Sequence, residues 1–338
     1  MKRLIIIATI LCTVVLLIPT MLVLFVSPSD NTVATESAGQ ELLAADIPDY
    51  DPSQDMPVAV FRSQKEVIET VPLEKYVMGV VASEMNASFE VEALKAQALT
   101  ARTYLVKLIL SPPTEVPEGA VTIDTVDHQV YKSEEELRKQ WGNDYEMNMK
   151  RIEQAVLSTQ GQVLTYEDEP IDALFFSTSN GYTENSEDYW ANEIPYLRSV
   201  ESPWDQQSPR FTARTSIPVN EFQEKLGVSL PEDGTVGTIN ERTKGNRVAK
   251  ATINGKVLTG KDIRDKLNLD SSDFQWQRQG NEIVIQTRGW GHGVGMSQYG
   301  ADGMAKEGGT YKDIVNHYYQ GVKIQPLDPY IGEMTAKK

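Results

Sequence analysis

The fold is decided by the stretch Pro72–Tyr104, PLEKYVMGVVASEMNASFEVEALKAQALTARTY, which predicts two helices joined by a short polar corner. In the first helix, apolar residues recur at a spacing of three and four, which places them on one helix face. These residues are Leu73, Tyr76, Val77, Val80 and Val81. Glu84 is the next position on that face. A carboxylate there is either paired with a cation or partly removed from water, and removal from water raises its pKa towards that of a general acid.

A purely structural role for Glu84 is the alternative. Lys95 and Arg102 of the second helix are the ion-pair partners that such a role would use. The pattern of residues alone leaves the catalytic and the structural role open.

The composition of the chain limits its partners and its class. The 338 residues carry a formal net charge of −16, which argues against nucleic acid and against retention on an anionic polymer by bulk charge. Any polysaccharide must therefore be held by local hydrogen bonds and stacking. Helical and antiparallel strand signals are interleaved along the chain, which predicts the α+β class.

The N-terminus carries an apolar run, Leu4–Val26, that is long enough to span a bilayer. No Lys or Arg follows it before Arg62, so the positive-inside rule predicts a cytoplasmic N-terminus and an exported remainder. We predict an uncleaved single-pass transmembrane anchor at residues 1–26, and the alternative is a cleaved signal peptide. The only cysteine, Cys12, lies inside this run, so the exported part has neither a disulfide nor a thiolate metal ligand.

Residues 27–56 contain seven acidic and no basic residues, which predicts an extended, self-repelling tether. One folded domain is predicted to follow at residues 57–330. Its strand signals form pairs, and Asn254-Gly255 is the strongest hairpin signal of the chain. The predicted pairs are Pro57–Arg62 with Glu66–Val71, Gln162–Tyr166 with Ile171–Phe176, and Phe274–Arg278 with Glu282–Arg288.

The predicted strand Ile171–Phe176 runs into a small polar segment, Ser177-Thr178-Ser179-Asn180-Gly181. Hydroxyl and N–H groups directly after a buried strand are typical of a binding loop. A simple strand-ending turn would use the same residues, so both interpretations stay open.

Glycine alternates with other residues in the segment Arg288–Gly303, RGWGHGVGMSQYGADG. An extended chain with this pattern is bare on one face, so another backbone or a flat substrate can approach closely. The segment matches neither the dinucleotide fingerprint nor a P-loop. It predicts either a substrate wall or a crossing point packed on the two helices.

Metal and nucleophile chemistry have little support in the sequence. The three histidines, His128, His292 and His317, are far apart and form no H-E-x-x-H motif, so no metal and no cofactor is predicted. Ser177 and Ser179 lie in no G-x-S-x-G elbow, which argues against a catalytic triad. His292 is kept as a functional candidate because its neighbours are unusual.

Three blocks of the chain resemble the stage II sporulation protein D family of peptidoglycan lytic transglycosylases. They are VVASEMNASFEVEALKAQALTARTY, FFSTSNGYTENSEDYW and RGWGHGVGMSQYGADGMA. The resemblance implies that the 57–330 domain cleaves the β-1,4 bond between N-acetylmuramic acid and N-acetylglucosamine and forms a 1,6-anhydro end. The glutamate of the S-E-M block, Glu84, would be acid and base. Relatives often have Ser-Gly-Gly where this chain has Ser179-Asn180-Gly181, which implies a stiffer loop here.

The resemblance also implies a substrate groove and partners. The groove would be lined by Gln97, Arg102, Ser177, Ser179, Asn180, His292, Gln298 and Tyr299, with Trp290 stacking or packing beside them. The implied substrate is glycan stripped of stem peptides, and the implied partners are a sporulation amidase and a membrane protein. The implied place is the mother-cell membrane during engulfment, with the domain facing the septal space. A non-catalytic amidase activator and a cell-wall binding module are the alternatives.

Overall fold

The computed structural model describes residues 49–190 and 192–336. The predicted anchor at residues 1–26 and most of the predicted tether lie outside the described residues. Across the described ranges, no helix is both long and apolar enough to cross a membrane. Helices and sheets are mixed along this part of the chain, which confirms the α+β class.

Ten α-helices lie in the described part of the chain. They are α1 (Leu73–Glu84), α2 (Val91–Leu110), α3 (Glu134–Trp141), α4 (Tyr145–Ser158), α5 (Glu187–Trp190), α6 (Val219–Leu226), α7 (Gly260–Leu267), α8 (Gln298–Lys306), α9 (Tyr311–Tyr318) and α10 (Asp328–Ala336). Short 3-10 helices occupy Pro52–Gln54, Gly142–Asp144 and Pro203–Gln207. Capping boxes begin α3 and α9, as the residues at their starts predict.

The strands of the same part form small sheets. They are β1 (Pro57–Arg62), β2 (Val67–Pro72), β3 (Thr122–Ile123), β4 (Gln162–Tyr166), β5 (Glu169–Pro170), β6 (Phe175–Phe176), β7 (Thr212–Pro218), β8 (Thr238–Arg242), β9 (Val248–Ile253), β10 (Lys256–Thr259), β11 (Phe274–Gln279), β12 (Glu282–Arg288), β13 (Met296–Ser297) and β14 (Lys323–Pro326). Their orders are β2-β1-β3, β10-β9-β8, β11-β12-β7, β13-β6 and β14-β4-β5.

Helix α2 is the centre of the larger hydrophobic core. It packs against α1, α4, α8, α9 and strand β4, and most of its residues are buried because its apolar and small side chains cover nearly every face. The predicted apolar stripe of α1 is buried as well. The two predicted helices are therefore confirmed, and they meet inside one core.

A second, smaller core lies between residues 217 and 285. Strands β7, β11 and β12 form one sheet beside it, and β8, β9 and β10 form another. The Asn254-Gly255 hairpin is confirmed, since Ile253 pairs with Lys256 across the turn. The predicted pairing of β11 with β12 is confirmed too.

The end of the predicted tether contacts the start of α1. Asp55 Oδ2 accepts a hydrogen bond of 2.7 Å from the Glu74 N–H. The Met56 carbonyl accepts one of 2.8 Å from the Leu73 N–H. Pro72 gives the helix no side-chain cap, so these two residues satisfy N–H groups that a helix start leaves free.

The predicted strand Ile171–Phe176 is wrong over most of its length. Strand β4 pairs instead with Glu169–Pro170 through a tight turn. Only Phe175–Phe176 is a strand, and it pairs in parallel with Met296–Ser297. This long-range pairing brings the polar segment after Phe176 next to the glycine-rich segment.

Candidate functional site

The glycine-rich segment crosses the polar segment at close range. Gly289, Gly291, Gly293 and Gly295 all have positive φ, a backbone conformation that other residues rarely adopt. A Cβ at Gly289 would lie 2.9 Å from the Thr178 carbonyl oxygen, and one at Gly291 would lie 2.9 Å from Phe176 Cβ. Three of the four glycines therefore face residues 174–180, and Gly293 faces the Arg247 side chain, so the crossing point is made with these segments and not with the two helices.

A groove of about 650 Å³ opens between this crossing and the end of α1. It brings together five of the predicted site residues: Glu84, Ser177, His292, Gln298 and Tyr299. Trp190, Arg210 and Trp290 line it as well. Residues more than two hundred positions apart in the chain therefore share one surface.

Glu84 is the last residue of α1 and is only partly buried. Its Oε1 accepts a hydrogen bond of 2.7 Å from the Val130 N–H, and no ion pair to its carboxylate is found among the described residues. Burial raises the pKa of Glu84, while the Val130 N–H opposes that rise. The negative end of the helix dipole also disfavours a carboxylate here. These conditions favour the protonated acid.

The cations considered as partners of Glu84 are engaged elsewhere. Lys95 Nζ lies 2.6 Å from Glu92. Arg102 is fully buried, and it donates from Nη2 and Nε to the two carboxylate oxygens of Glu74 at 2.6 and 2.9 Å. The expectation that Arg102 lines the groove is therefore wrong, because its guanidinium is inside the core and its other donors bond to backbone carbonyls.

Gln298 connects helix α8 to the end of α1. Its Nε2 donates to the Glu84 backbone carbonyl at 3.0 Å and to Gln97 Oε1 at 3.4 Å. Gln97 is fully buried, so it supports Gln298 from behind and does not line the groove. Tyr299 is held by its N–H, which donates to the Ser177 carbonyl at 3.1 Å. Gln298 thus fixes the backbone that carries Glu84.

Ser179 and Asn180 are buried and lie behind the groove surface. Ser179 donates from its N–H and from Oγ to the carboxylate of Asp205, at 2.7 and 2.8 Å. Asn180 Nδ2 donates to Asp273 at 2.9 Å. Of the three polar residues predicted here, only Ser177 lines the groove, so the segment acts mainly as a strand-ending turn.

Asp205 is a structural carboxylate that the sequence analysis missed. It is fully buried and also accepts hydrogen bonds of 2.5 Å from Ser202 and Ser297. Ser297 is the N-cap of α8, so this carboxylate joins the polar segment to the helix that carries Gln298. Apart from Ser202, three residues earlier, the donors to Asp205 come from two distant segments, at Ser179 and Ser297, so its local sequence does not distinguish it from a surface residue.

The ring of His292 is held by backbone and aromatic contacts. Its Nδ1 accepts a hydrogen bond of 3.0 Å from the Val294 N–H. Burial, together with the positive charges of Arg264 and Arg247, lowers the pKa of His292 to about 3. The imidazole is therefore neutral near pH 7, which suits a wall of the groove and not a proton donor.

Two tryptophan side chains form an aromatic wall of the groove. Trp190 and Trp290 are 42% and 38% exposed. The Arg210 guanidinium lies 3.9 Å from the centre of the Trp290 ring. Exposed aromatic faces of this kind stack on sugar rings, and Trp190 closes the block FFSTSNGYTENSEDYW that carries part of the resemblance. No group of three metal-ligating side chains occurs within residues 49–190 and 192–336.

The α+β fold places Glu84, a partly buried acid with no ion-pair partner among the described residues, in one groove with the exposed Asp127 and two exposed tryptophans, and comparison with known proteins gives the family. A family model described as "SpoIID: Stage II sporulation protein" matches residues 62–166, which include Glu84 and Val130. The chain is 50% identical over 351 residues to Stage II sporulation protein D of Bacillus subtilis (strain 168), with 100% of both chains covered. The chain therefore belongs to the stage II sporulation protein D family, a family involved in sporulation, as the resemblance predicts.

Two further relatives show how widely the similarity extends. Stage II sporulation protein D of Bacillus amyloliquefaciens is also 50% identical over the full length of both chains. The Amidase enhancer of Bacillus subtilis (strain 168) is 28% identical over 73% of this chain and 40% of its own length.

Proposed function

We propose that the protein is a peptidoglycan lytic transglycosylase acting in cell-wall remodelling during sporulation. It cleaves the β-1,4 bond between N-acetylmuramic acid and N-acetylglucosamine. The observation that carries the proposal is Glu84, a groove acid whose pKa is raised by burial and whose carboxylate has no cation partner among the described residues. Membership of the family supports the proposal.

The proposed reaction needs one acid that later becomes a base. Protonated Glu84 gives its proton to the glycosidic oxygen, the bond from muramic acid C1 to that oxygen breaks, and the glucosamine end leaves as an alcohol. The muramic acid C6 hydroxyl then attacks C1, and its proton passes to the Glu84 carboxylate. A 1,6-anhydro ring closes, Glu84 is protonated again, and no water is consumed.

A single carboxylate is sufficient for this chemistry. Glycoside hydrolases generally place a second carboxylate as nucleophile or as the base that activates water. In the proposed reaction the nucleophile belongs to the substrate, and intramolecular attack has a high effective molarity. Partial burial of Glu84 raises its pKa, which is the direction of change that suits a general acid.

The test is Glu84→Gln, which keeps the shape of the side chain and removes the acid. We expect the release of 1,6-anhydromuropeptides from peptide-stripped glycan, measured by mass spectrometry, to fall by a factor of about 10² to 10⁴. Glu135→Gln, which changes an exposed glutamate of α3 outside this groove, is the matched control and should release products at the wild-type rate. Release at the wild-type rate by Glu84→Gln contradicts the mechanism.

A non-catalytic activator of a cell-wall amidase is the second candidate, and the similarity to the Amidase enhancer favours it. An activator would leave no anhydro ends when incubated alone with glycan. It would raise the rate at which an added amidase releases stem peptides, and Glu84→Gln would not change that rise. The two candidates are therefore separated by the products that the purified chain forms alone.

We propose the place of action from the family resemblance together with the N-terminal sequence. Residues 1–26 would anchor the chain in the mother-cell membrane, and residues 27–56 would hold the domain in the septal space. The apolar run and the absence of basic residues before Arg62 support this orientation. The proposed partners are an amidase that strips stem peptides, together with a membrane protein.

A further inference from the structure

The aromatic wall of the groove continues into the end of a sheet. Arg210 lies two residues before β7, and Trp290 lies two residues after β12. The two strands pair at this end, where Thr212 lies opposite Arg288. The Gly289 N–H also donates to the Phe211 carbonyl at 2.8 Å. The paired ends of these two strands therefore carry the groove residues Arg210 and Trp290.

A second depression of about 470 Å³ lies on this sheet. Its lining includes Arg214, Arg242, Arg288, Gln275 and Gln286. In the sheet, Gln286 lies opposite both Gln275 and Arg214, so these three side chains form one row across the strands. Because side chains two residues apart share a face, Arg288 lies on the same face as this row.

The depression holds more cations than anions. Arg242 and Arg288 share the buried carboxylate of Asp273, at 2.9 and 3.0 Å. Arg214, in the depression, and Arg210, in the groove, are both exposed, and no carboxylate is hydrogen-bonded to either within the described ranges. Asp270 is close enough to Arg210 to interact with its charge. A local excess of arginine is unusual in a chain of net charge −16. It adjoins the groove through Arg210, which lines the groove and lies over the Trp290 ring.

We propose that Arg210, Arg214 and Arg288 form an arginine track that binds the free lactyl carboxylates of a glycan strand beyond the Glu84 groove. This proposal rests on the proposed function, since it assumes that peptidoglycan strands are the substrate. Arginine pairs with carboxylates through two parallel hydrogen bonds, which gives both affinity and geometric selectivity. When a stem peptide is attached, the same carboxyl is an amide without charge, so the arginine track favours stripped glycan.

The experiment measures equilibrium binding of the full-length chain to two glycan oligomers of equal length. One carries free lactyl carboxylates, and in the other these groups are methyl amides. We expect the acid form to bind about tenfold more tightly, because several arginines can pair with its carboxylates whereas the amide carries no charge. The preference should weaken at high salt.

Substitutions show which arginines cause the preference for the acid form. Arg214→Ala and Arg210→Ala are each expected to reduce it several-fold, and the double variant should abolish it. Within the part of the chain that the structure describes, Arg214 has no hydrogen-bonded partner to lose, whereas removing Arg288 takes one cation from the buried Asp273. The conclusion therefore depends on Arg214 and Arg210. Arg138→Ala, which removes a half-exposed arginine of helix α3, is the matched control and should keep the full preference.

Three results would overturn the proposal. They are equal binding of both oligomers by the wild-type chain, an unchanged preference in the double variant, and equally tight binding of a polyglycerol phosphate that the same substitutions abolish. Because binding needs no bond cleavage, a chain that releases no anhydro ends can still show the preference. Conversely, if the preference is absent and the wild-type chain still releases anhydro ends, the arginine track is contradicted and the proposed function is not.

Discussion

Helix α1 carries a glutamate at each end, and the two have opposite environments. Glu74, in the first turn, is only 2% exposed and forms two hydrogen bonds with Arg102 at the positive end of the helix dipole. Glu84, the last residue of the helix, lies at the negative end of the dipole, and among the described residues it has one N–H donor and no cation partner. The same residue type therefore holds the core together at one end and is suited to proton transfer at the other.

A raised pKa alone does not distinguish the two roles. Burial also raises the pKa of Glu184, which lies behind the polar segment. Its carboxylate accepts hydrogen bonds from Thr243 and from the Gly245 N–H, and Arg247 lies 3.9 Å away. Glu84 differs because it lines a groove that a substrate can enter. Access to the groove and the lack of a cation partner among the described residues, together with the raised pKa, identify Glu84 as the candidate acid.

The largest effect on stability is expected from breaking the structural end of α1. Arg102→Ala leaves Glu74 as an unpaired carboxylate in the core, which costs about 3 to 5 kcal/mol in the free energy of unfolding. Chemical denaturation measures this loss. Replacing both partners by apolar residues, Glu74→Leu with Arg102→Met, should recover most of it, because no buried charge then remains. A loss below about 1 kcal/mol for Arg102→Ala would show that Glu74 is not held as the structure has it.

The next largest expected effect is at the other end of α1, where Glu84 makes the free energy of unfolding depend on pH. The pKa of Glu84 is raised in the folded chain, so the folded state holds this proton more tightly than the unfolded state does. Glu84 therefore lowers the free energy of unfolding once the pH rises above the unfolded value of about 4.3. Glu84→Gln should be more stable than the wild-type chain near pH 7, and the difference should vanish below about pH 4.

Denaturation of both chains across this pH range measures the difference. Glu135→Gln, with an exposed side chain, is the matched control and should follow the wild-type curve at every pH. The opposite sign of this difference would contradict the prediction. If Glu84→Gln were less stable than wild type at neutral pH and equal to it in acid, Glu84 would form a stabilising ion pair.

The spacing of neighbouring residues predicted the helices and the hairpin better than it predicted the contacts between distant segments. The stripe of α1, the helix α2 and the Asn254-Gly255 hairpin follow from residues that are neighbours in sequence, and the structure confirms them. The pairing of Arg102 with Glu74 depends on how two helices pack, so sequence spacing could not assign it.

The groove is formed by contacts between residues that are even farther apart in the sequence. Phe175–Phe176 pairs with Met296–Ser297 across more than a hundred residues, and this pairing overrides the strand that the apolar run Ile171–Phe176 predicts. Asp205 lies in a short 3-10 helix and accepts hydrogen bonds from two other segments, at Ser179 and Ser297. Such contacts have no local signal, whereas the alternating glycines did indicate a close crossing.

The smallest expected effect tests whether the acid end of α1 is free of cations. Lys95 is the remaining basic residue that the sequence offers as a partner of Glu84, and its Nζ bonds to Glu92 in the same turn of α2. Because a partly exposed pair of this kind contributes little, Lys95→Ala should change the free energy of unfolding by about 0.5 kcal/mol or less. It should also leave the pH dependence of anhydro-end release unchanged, since its charge does not act on Glu84. A shift of that profile to higher pH would mean that Lys95 stabilises the Glu84 carboxylate in solution, and the contrast between the two ends of the helix would then fail.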